Sequence, residues 1–253
     1  MQAEIQKASF WQRTAAWVLD LILLAVVVSG MMYLMSSILD YDKYSDIVND
    51  AYTRYEEEYG VDFEINQETY EALSEADREK WDIAYEALIA DEEALQAYNM
   101  TVNLIMLMTT VSILVAMLLL HLVVPLLLKN GRTLGKKVFS LGVIRNDGVK
   151  MNTLQLFVRT ILGRFTIETM IPVYIVLMIL WGRIGISGPA LLLALLLVQV
   201  ICMGLNRNNA AIHDLLAGTV VVDLSTQKVF ESAEALLEYT QKEHAERAAR
   251  QNY

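Results

Sequence analysis

The sequence predicts an all-α polytopic membrane protein with four transmembrane helices, an acidic helical extracytoplasmic insertion and a small cytoplasmic β element. Two observations lead to this fold class. Hydrophobic residues make up 55 % of the 253-residue chain and charged residues only 20 %, a balance that a soluble domain with a wet surface seldom has. The apolar residues also form four nearly charge-free blocks, at 14–39, 101–128, 165–181 and 189–205.

The lengths of these blocks fit a bilayer. About 20 apolar residues cross the hydrocarbon core as a helix, and about 17 is the lower limit. The first two blocks exceed that length, and the last two reach the limit. The first block is too long for a cleavable signal peptide and contains Asp20, so we expect it to be retained. Cys202 is the single cysteine, which excludes an intrachain disulfide.

The charge of the chain is divided between two regions. Residues 40–99 hold 19 acidic and four basic residues, a net charge of −15, whereas the whole chain has −10. The remaining sequence therefore carries +5. This asymmetry indicates that the two regions lie in different compartments.

Basic residues predict the orientation in the membrane, because Lys and Arg near span ends accumulate on the cytoplasmic side. The loop between the second and third blocks has Asp147 as its only acid. Its basic residues are Lys129, Arg132, Lys136, Lys137, Arg145, Lys150, Arg159 and Arg164. We therefore expect a multi-pass protein of the cell membrane, with both termini in the cytoplasm and the acidic region outside.

The chain is thus predicted to have seven parts. They are an N-terminal lead with the first span (1–39), an acidic extracytoplasmic helical domain (40–99), the second span (100–128), a basic cytoplasmic loop with a hairpin and an interfacial helix (129–164), the third span (165–181), the fourth span (189–205), and a cytoplasmic C-terminal segment with a short strand and a charged helix (206–253).

The acidic domain shows helix-start signals. Ser74 precedes Asp77 by three residues, which resembles a capping box, and Asn66 can open a shorter helix. We expect residues 40–59 to continue as helix out of the first span. A solvated helical cap is the favoured interpretation of the acidic surface, and a cation-attracting or partner-binding surface is the alternative.

The cytoplasmic segments show two β-rich runs. Residues 138–145 and 149–151 flank the turn Asn146-Asp147-Gly148 and predict a hairpin. We expect residues 218–224 to pair with it as a small sheet. Residues 152–164 predict an interfacial helix whose arginines reach the head groups.

Three ionisable residues fall inside predicted spans. An ionisable group in hydrocarbon costs about 2.5–3.5 kcal/mol on insertion scales, so each is a functional candidate. Asp20, His121 and Glu168 are each predicted within roughly 9 Å of the cytoplasmic ends of their spans. Pro125 and Pro172 each follow one of them by four residues and remove the hydrogen bond to its carbonyl.

Two interpretations of this polar level remain open. The first is a cation or proton site made of the three side chains and the two freed carbonyls. The second is a buried polar cluster that fixes helix packing. A zinc site has little support, because no paired histidine spacing occurs.

Four sequence motifs occur in order along the membrane part. They are R-T-A-A-W-V-L-D at 13–20, G-R-T-L-G-K-K-V-F-S-L-G-V-I-R at 131–145, Arg159 with Arg164, and H-D-L-L-A-G-T-V-V-V at 213–222. Together they resemble the RDD family of membrane proteins, which is named for one arginine and two aspartates. The resemblance leaves residues 40–99 and the tail after 226 outside.

The resemblance implies that the family trio is Arg13, Asp20 and Asp214. It also implies an inner-surface motif made of Gly131, Thr133, Gly135, Lys136, Arg159, His213 and Thr219. Members of the family are suspected transporters: some look like cation/proton antiporters and others like adaptors of membrane complexes.

Two functional hypotheses follow. The first is a small transporter or cation/proton exchanger, which we expect to be a homo-oligomer because four helices enclose little space. The second is a non-enzymatic adaptor or regulator that docks on another membrane protein through the acidic domain or the C-terminal helix. The sequence contains no nucleophile elbow, phosphate loop or metal motif. We therefore expect no enzymatic activity, no cofactor, no metal and no nucleic-acid partner. The expected partners are the lipid bilayer and another membrane protein.

Overall fold

The computed structural model describes residues 5–128, 131–205 and 210–251. It is 76 % helical, with one small two-stranded sheet, so the predicted fold class is confirmed. Four helices are long and apolar enough to cross a membrane. Residues 129–130 and 206–209, which begin the predicted basic loop and C-terminal segment, lie outside the described residues.

The four spans have the following bounds. The first is Phe10–Ile38, the second Glu92–Leu128, the third Thr153–Leu180 and the fourth Ser187–Leu205. The second span begins eight residues before its predicted start because Asp91 caps it: the Asp91 carboxylate accepts hydrogen bonds from the amides of Glu93 and Ala94 at 3.0 and 3.1 Å, which stabilises a helix start.

The chain divides into two compact units. We call residues 28–112 the acidic unit, and residues 1–27 together with 113–253 the membrane unit. The functional candidates from the sequence all lie in the membrane unit.

The acidic unit contains the helices Tyr41–Tyr59, Gln67–Ala72 and Glu75–Ala90. The two predicted caps are present, because the Asn66 side chain accepts from the Thr69 amide at 2.9 Å and Ser74 Oγ accepts from the Asp77 amide at 3.1 Å. The helix predicted to run on from the first span is interrupted. Asp40 has φ +49°, a left-handed conformation that aspartate tolerates better than most residues.

A small core holds the acidic unit together. Ala51, Leu88 and Ala94 are buried, and Phe63 packs against them. Phe63 also makes edge-to-face contacts with Tyr52 and with a tryptophan, Trp81. The aromatic side chains therefore supply the apolar layer that so acidic a segment needs.

A two-stranded antiparallel sheet forms in the membrane unit. Strand β1, Leu141–Arg145, pairs with strand β2, Thr219–Asp223, so that Val143 faces Val221. Both faces are covered, because Leu141, Val143 and Val221 belong to one buried cluster and Ile144, Val220 and Val222 to another.

The sheet differs from the prediction at its edges. Residues 149–151 form two isolated bridges, Ile144–Lys150 and Val149–Phe230, instead of a continuous hairpin strand, because Val149 takes Phe230 as its partner. Residues Leu134–Val138 form a short helix, which we call the inner helix, so the strand starts later than residue 138.

The predicted interfacial helix at 152–164 is not a separate element, and this corrects the predicted division of the loop. One uninterrupted helix runs from Thr153 to Leu180. Its segment Val158–Met170 is π-helical. The sequence offers no break here, and Arg159 and Arg164, which suggested an interface, point into the interior of the membrane unit instead.

Two further helices complete the described chain. A short helix, Ile212–Ala217, follows the fourth span, and we call it the His213 helix. The tail forms the helix Ala233–Gln251, as the sequence predicts. On that helix Arg247 lies 3.6 Å from Glu243.

Candidate functional site

Asp20 fastens the first span to the inner helix. Its carboxylate is 5 % exposed and accepts a hydrogen bond from Thr133 Oγ1 at 2.5 Å and from the Gly135 amide at 2.8 Å. Thr133 also caps the inner helix, because its hydroxyl accepts from the Lys136 amide at 3.3 Å. The three residues form one continuous hydrogen-bonded chain.

Gly135 makes this contact geometrically feasible. A Cβ atom at this position would lie 2.2 Å from the carbonyl oxygen of Ala16 and 2.9 Å from Asp20 Oδ1, far inside van der Waals distance. The glycine therefore lets the inner helix approach the backbone of the first span. Gly131 has a different role: its φ of +59° lies in the left-handed region that glycine adopts at little cost.

Asp214 forms a buried ion pair with the third span. Its carboxyl group is 1 % exposed, and its Oδ1 lies 2.7 Å from Arg159 Nη2. Thr219 Oγ1 donates to the same oxygen at 3.0 Å. Burial alone would raise the pKa of Asp214, but the charge of Arg159, with smaller contributions from His213 and Thr219, holds that pKa well below its usual value.

Glu168 pairs with His213 on the other side of this contact. The Glu168 carboxylate accepts from His213 Nδ1 at 2.7 Å and from the His213 amide at 3.0 Å. His213 Nε2 lies 3.4 Å from Asp214 Oδ2, so the imidazole stands between two carboxylates. Burial lowers the pKa of His213, and Arg159 adds to this effect, while the two carboxylates oppose it.

Gly163 brings the third span against the His213 helix. A Cβ on Gly163 would lie 2.4 Å from the Cβ of His213. The spacing of Arg159, Gly163 and Glu168 follows from the π-helical winding, in which each amide bonds the carbonyl five residues back. The side chain of Thr166 bonds the Ile161 carbonyl with the same spacing.

His121 lies apart from Asp20 and Glu168. Its carbonyl, which Pro125 deprives of an α-helical donor, accepts from Thr160 Oγ1 at 2.9 Å. Its Nδ1 is buried without a hydrogen-bond partner among the described residues. Arg159 and Arg164 line a small void that reaches it.

The three predicted membrane ionisables therefore have separate partners. Asp20 bonds the inner helix, Glu168 bonds the His213 helix, and the carbonyl of His121 bonds the third span. They lie in one unit, and no hydrogen bond or ion pair among the described residues joins any two of them. This arrangement favours the packing interpretation for Asp20 and His121. Glu168 differs, because its partner, His213, can take up a proton.

A cavity of about 650 Å³ opens beside the ion pairs. Its charged and titratable lining residues are Arg13, Lys136, Arg159, Arg164, Glu168, His213 and Asp214. Arg159 pairs with Asp214, whereas the hydrogen bonds and ion pairs of the described residues include none for the side chains of Arg13, Lys136 and Arg164. Burial, together with the charges of Arg164 and Arg159, lowers the pKa of Lys136 well below its ordinary value.

Sequence reasoning missed one member of the site. Gln199 is the only amide side chain in the fourth apolar block. Its Nε2 donates to Glu168 Oε1 at 3.3 Å, and its Oε1 accepts from the Ile212 amide at 3.5 Å. A lone amide in an otherwise apolar span was the available signal, since such a group requires a polar partner in lipid.

The sequence profile of the RDD family matches residues 7–218. The chain belongs to the RDD family. The match runs through residues 40–99, which the motif comparison left outside the resemblance, and it ends one residue before β2. Comparisons with curated proteins and with solved structures found no significant match.

The two aspartates of the predicted RDD trio make two distinct contacts. Asp20 holds the inner helix through Thr133 and Gly135. Asp214 takes its ion pair from Arg159 rather than from Arg13. Arg13 lines the cavity within electrostatic range of Asp214, and no hydrogen bond or ion pair joins its guanidinium to another described residue.

Proposed function

We propose that this RDD-family membrane protein is a small carrier whose ligand site is the 650 Å³ cavity of the membrane unit. The observation that supports the proposal is a cavity of ligand size that is lined by charged groups and bounded by apolar membrane spans. Cavities of about 300–1,000 Å³ commonly hold small molecules. A packing cluster alone needs no such space.

The charges of the cavity favour an anionic ligand over a metal cation. Four cationic side chains and two carboxylates line it, and three of the cations are without an ion pair among the described residues. A positive lining repels a cation and attracts an anion. Of the two ions in the exchanger hypothesis, the proton is therefore the better supported.

His213 and Glu168 are the proposed proton-coupling groups. The imidazole contacts Glu168 at 2.7 Å and Asp214 at 3.4 Å, and it lines the cavity. An anion that enters beside His213 favours the protonated imidazole, because opposite charges stabilise one another. Release of the anion would then release the proton.

Proton movement in proteoliposomes tests this proposal. Liposomes that contain the full chain and a trapped pH-sensitive dye receive gradients of sodium chloride, potassium chloride or sodium phosphate. We expect proton movement that depends on the anion, that is lost in Glu168→Gln, and that is kept in the control Lys150→Gln, whose side chain pairs with Glu231 away from the cavity. Proton movement set by the cation alone would contradict the anion assignment, and equal signals in both variants would remove Glu168 from the mechanism.

The adaptor hypothesis has one specific observation in its favour. The acidic unit exposes Ile83, Ile89 and Leu95 although it is a compact unit by itself. Exposed apolar groups on a charged surface are typical of contact sites. If this unit docks on a membrane protein, the variant Ile83→Ser/Ile89→Ser loses a cross-linked partner in native membranes, whereas Glu86→Gln on the same helix keeps it. The same partner in both variants, and after deletion of residues 44–96, would reject the adaptor role.

A further inference from the structure

The cavity of the membrane unit is lined by two chemically different sets of residues. Besides the charged residues, its lining includes Leu192, Leu195, Leu196, Val200 and Met203 of the fourth span and Phe10 and Trp17 of the first span. A small soluble anion would use only the charged residues. The aliphatic side chains match a hydrocarbon chain, because contact between them keeps the apolar surface of both away from water.

Several apolar lining residues of the cavity are exposed and belong to membrane spans. Leu196 and Val200 line the cavity and are 60 % and 58 % exposed, and Trp17, which also lines it, is 54 % exposed. These residues lie within helices of transmembrane length. A ligand in the hydrocarbon of the bilayer can therefore contact this part of the lining.

The charged residues of the cavity lining supply a site for an acidic head group. Arg13 and Arg164 have no ion pair with a described residue, and a guanidinium binds phosphate through two parallel hydrogen bonds. Arg159 is 5 % exposed, and its Nε has no hydrogen-bond partner among the described residues.

We infer that the cavity binds an anionic lipid, with its acidic head group on Arg13 and Arg164 and the first part of an acyl chain along the fourth span. The inference rests on the proposed function in naming the ligand of the same cavity. The cavity volume suits one head group and part of a chain, so the rest of the lipid remains in the bilayer. Lys136 also lines the cavity, and it has no ion pair of its own among the residues described.

Quenching of Trp17 by brominated lipid tests the inference on the full chain. The protein is placed in nanodiscs of phosphatidylcholine that contain either brominated phosphatidylglycerol or brominated phosphatidylcholine. The contribution of Trp17 is the difference in fluorescence between the wild type and Trp17→Phe. We expect the acidic lipid to quench this contribution strongly, and the zwitterionic lipid to quench it only to the level of ordinary bilayer contact.

Three variants locate the binding. Arg164→Gln removes one charged pair of hydrogen bonds and lowers the affinity for phosphatidylglycerol by about tenfold or more, whereas Arg183→Gln, an exposed arginine outside the cavity, leaves it unchanged. Val200→Phe narrows the apolar part of the cavity without touching a charge and without adding a tryptophan, and it also weakens quenching. This third variant keeps the test decisive if Arg164→Gln fails to fold.

Four outcomes overturn the inference. They are equal quenching by the two brominated lipids, displacement of the lipid by inorganic phosphate at equal concentration, no effect of Arg164→Gln and Val200→Phe, and a lipid-free dimer whose second copy covers Trp17. The proton assay separates this inference from the proposed function. Lipid binding without proton movement would reject the carrier and keep the lipid site, and phosphate-dependent proton movement without lipid binding would do the reverse.

Discussion

Replacement of Asp20 by asparagine perturbs a contact between segments more than 110 residues apart in sequence. The carboxylate offers two acceptor oxygens, one to Thr133 Oγ1 and one to the Gly135 amide. Asparagine has nearly the same shape but one oxygen and one NH₂ group. In either orientation of the amide, one of the two buried donors faces a second donor.

The size of the effect follows from these two hydrogen bonds. An unpaired buried donor costs about 1–3 kcal/mol, and the surviving bond loses about 1 kcal/mol because its acceptor is no longer charged. Asp20→Asn should therefore lower the free energy of unfolding by about 2–4 kcal/mol. Thr133→Val removes the same donor and the cap of the inner helix, at about 1–2 kcal/mol.

A denaturant titration in mixed micelles measures this change, and a double-mutant cycle identifies its origin. Asp20→Asn and Thr133→Val remove one shared bond, so together they should cost less than the sum of their separate effects, by about 0.5–3 kcal/mol. Hydrogen exchange at the Gly135 amide should accelerate in Asp20→Asn. Thr226→Val, in an exposed turn, serves as the control and should change stability by under about 0.5 kcal/mol.

Additive effects in this cycle, with unchanged exchange at Gly135, would refute the reasoning. A loss of proton movement in Asp20→Asn at full stability would also refute it, because Asp20 would then act on a transported ion rather than on the inner helix.

Three further predictions concern packing, pH and topology. Gly163→Ala should destabilise the protein by about 1–3 kcal/mol because its Cβ would overlap His213, whereas Gly30→Ala, with open space around it, should not; equal melting temperatures would contradict this. The pKa of His213 is lowered by burial and that of Asp214 by Arg159, so the folded state binds fewer protons than the unfolded state. The stability from these two groups is therefore full above pH about 6.5 and falls in acid. It falls first through His213 and then, below pH about 3.8, through Asp214. His213→Gln should remove only the first loss in a pH series of melting curves. Arg145→Cys in a cysteine-free background should react with an impermeant thiol reagent only after the cells are permeabilised. Labelling of this cysteine in intact cells would overturn the predicted orientation.

The spans and several local elements were predictable from the sequence. Bilayer thickness sets the length of a spanning helix, so four apolar blocks were sufficient to identify four spans. The caps at Asn66 and Ser74 follow from short side chains that accept a nearby amide. The β-rich run at 218–224 was recognisable because branched residues favour strands.

The partners of the buried ionisable residues were not predictable in the same way. Depth arithmetic placed Asp20 level with His121 and Glu168, but depth does not determine direction around a helix. The partner of Asp20 depends on the missing side chain of Gly135, a contact across 115 residues. The arginines of the third span suggested a membrane–water interface, because their charge can be read from the sequence. The burial of Arg159 against Asp214 cannot be read from it.

The winding of the third span has a mechanical consequence. Thirteen residues, Val158–Met170, close each turn with one residue more than an α-helix does, so this part of the span is wider and shorter than an α-helix of the same sequence. Rewinding it would lengthen the span and turn Arg164 and Glu168 away from the sides that they now face. A change of winding in this segment would therefore rotate and shift along its axis the half of the span that follows Pro172.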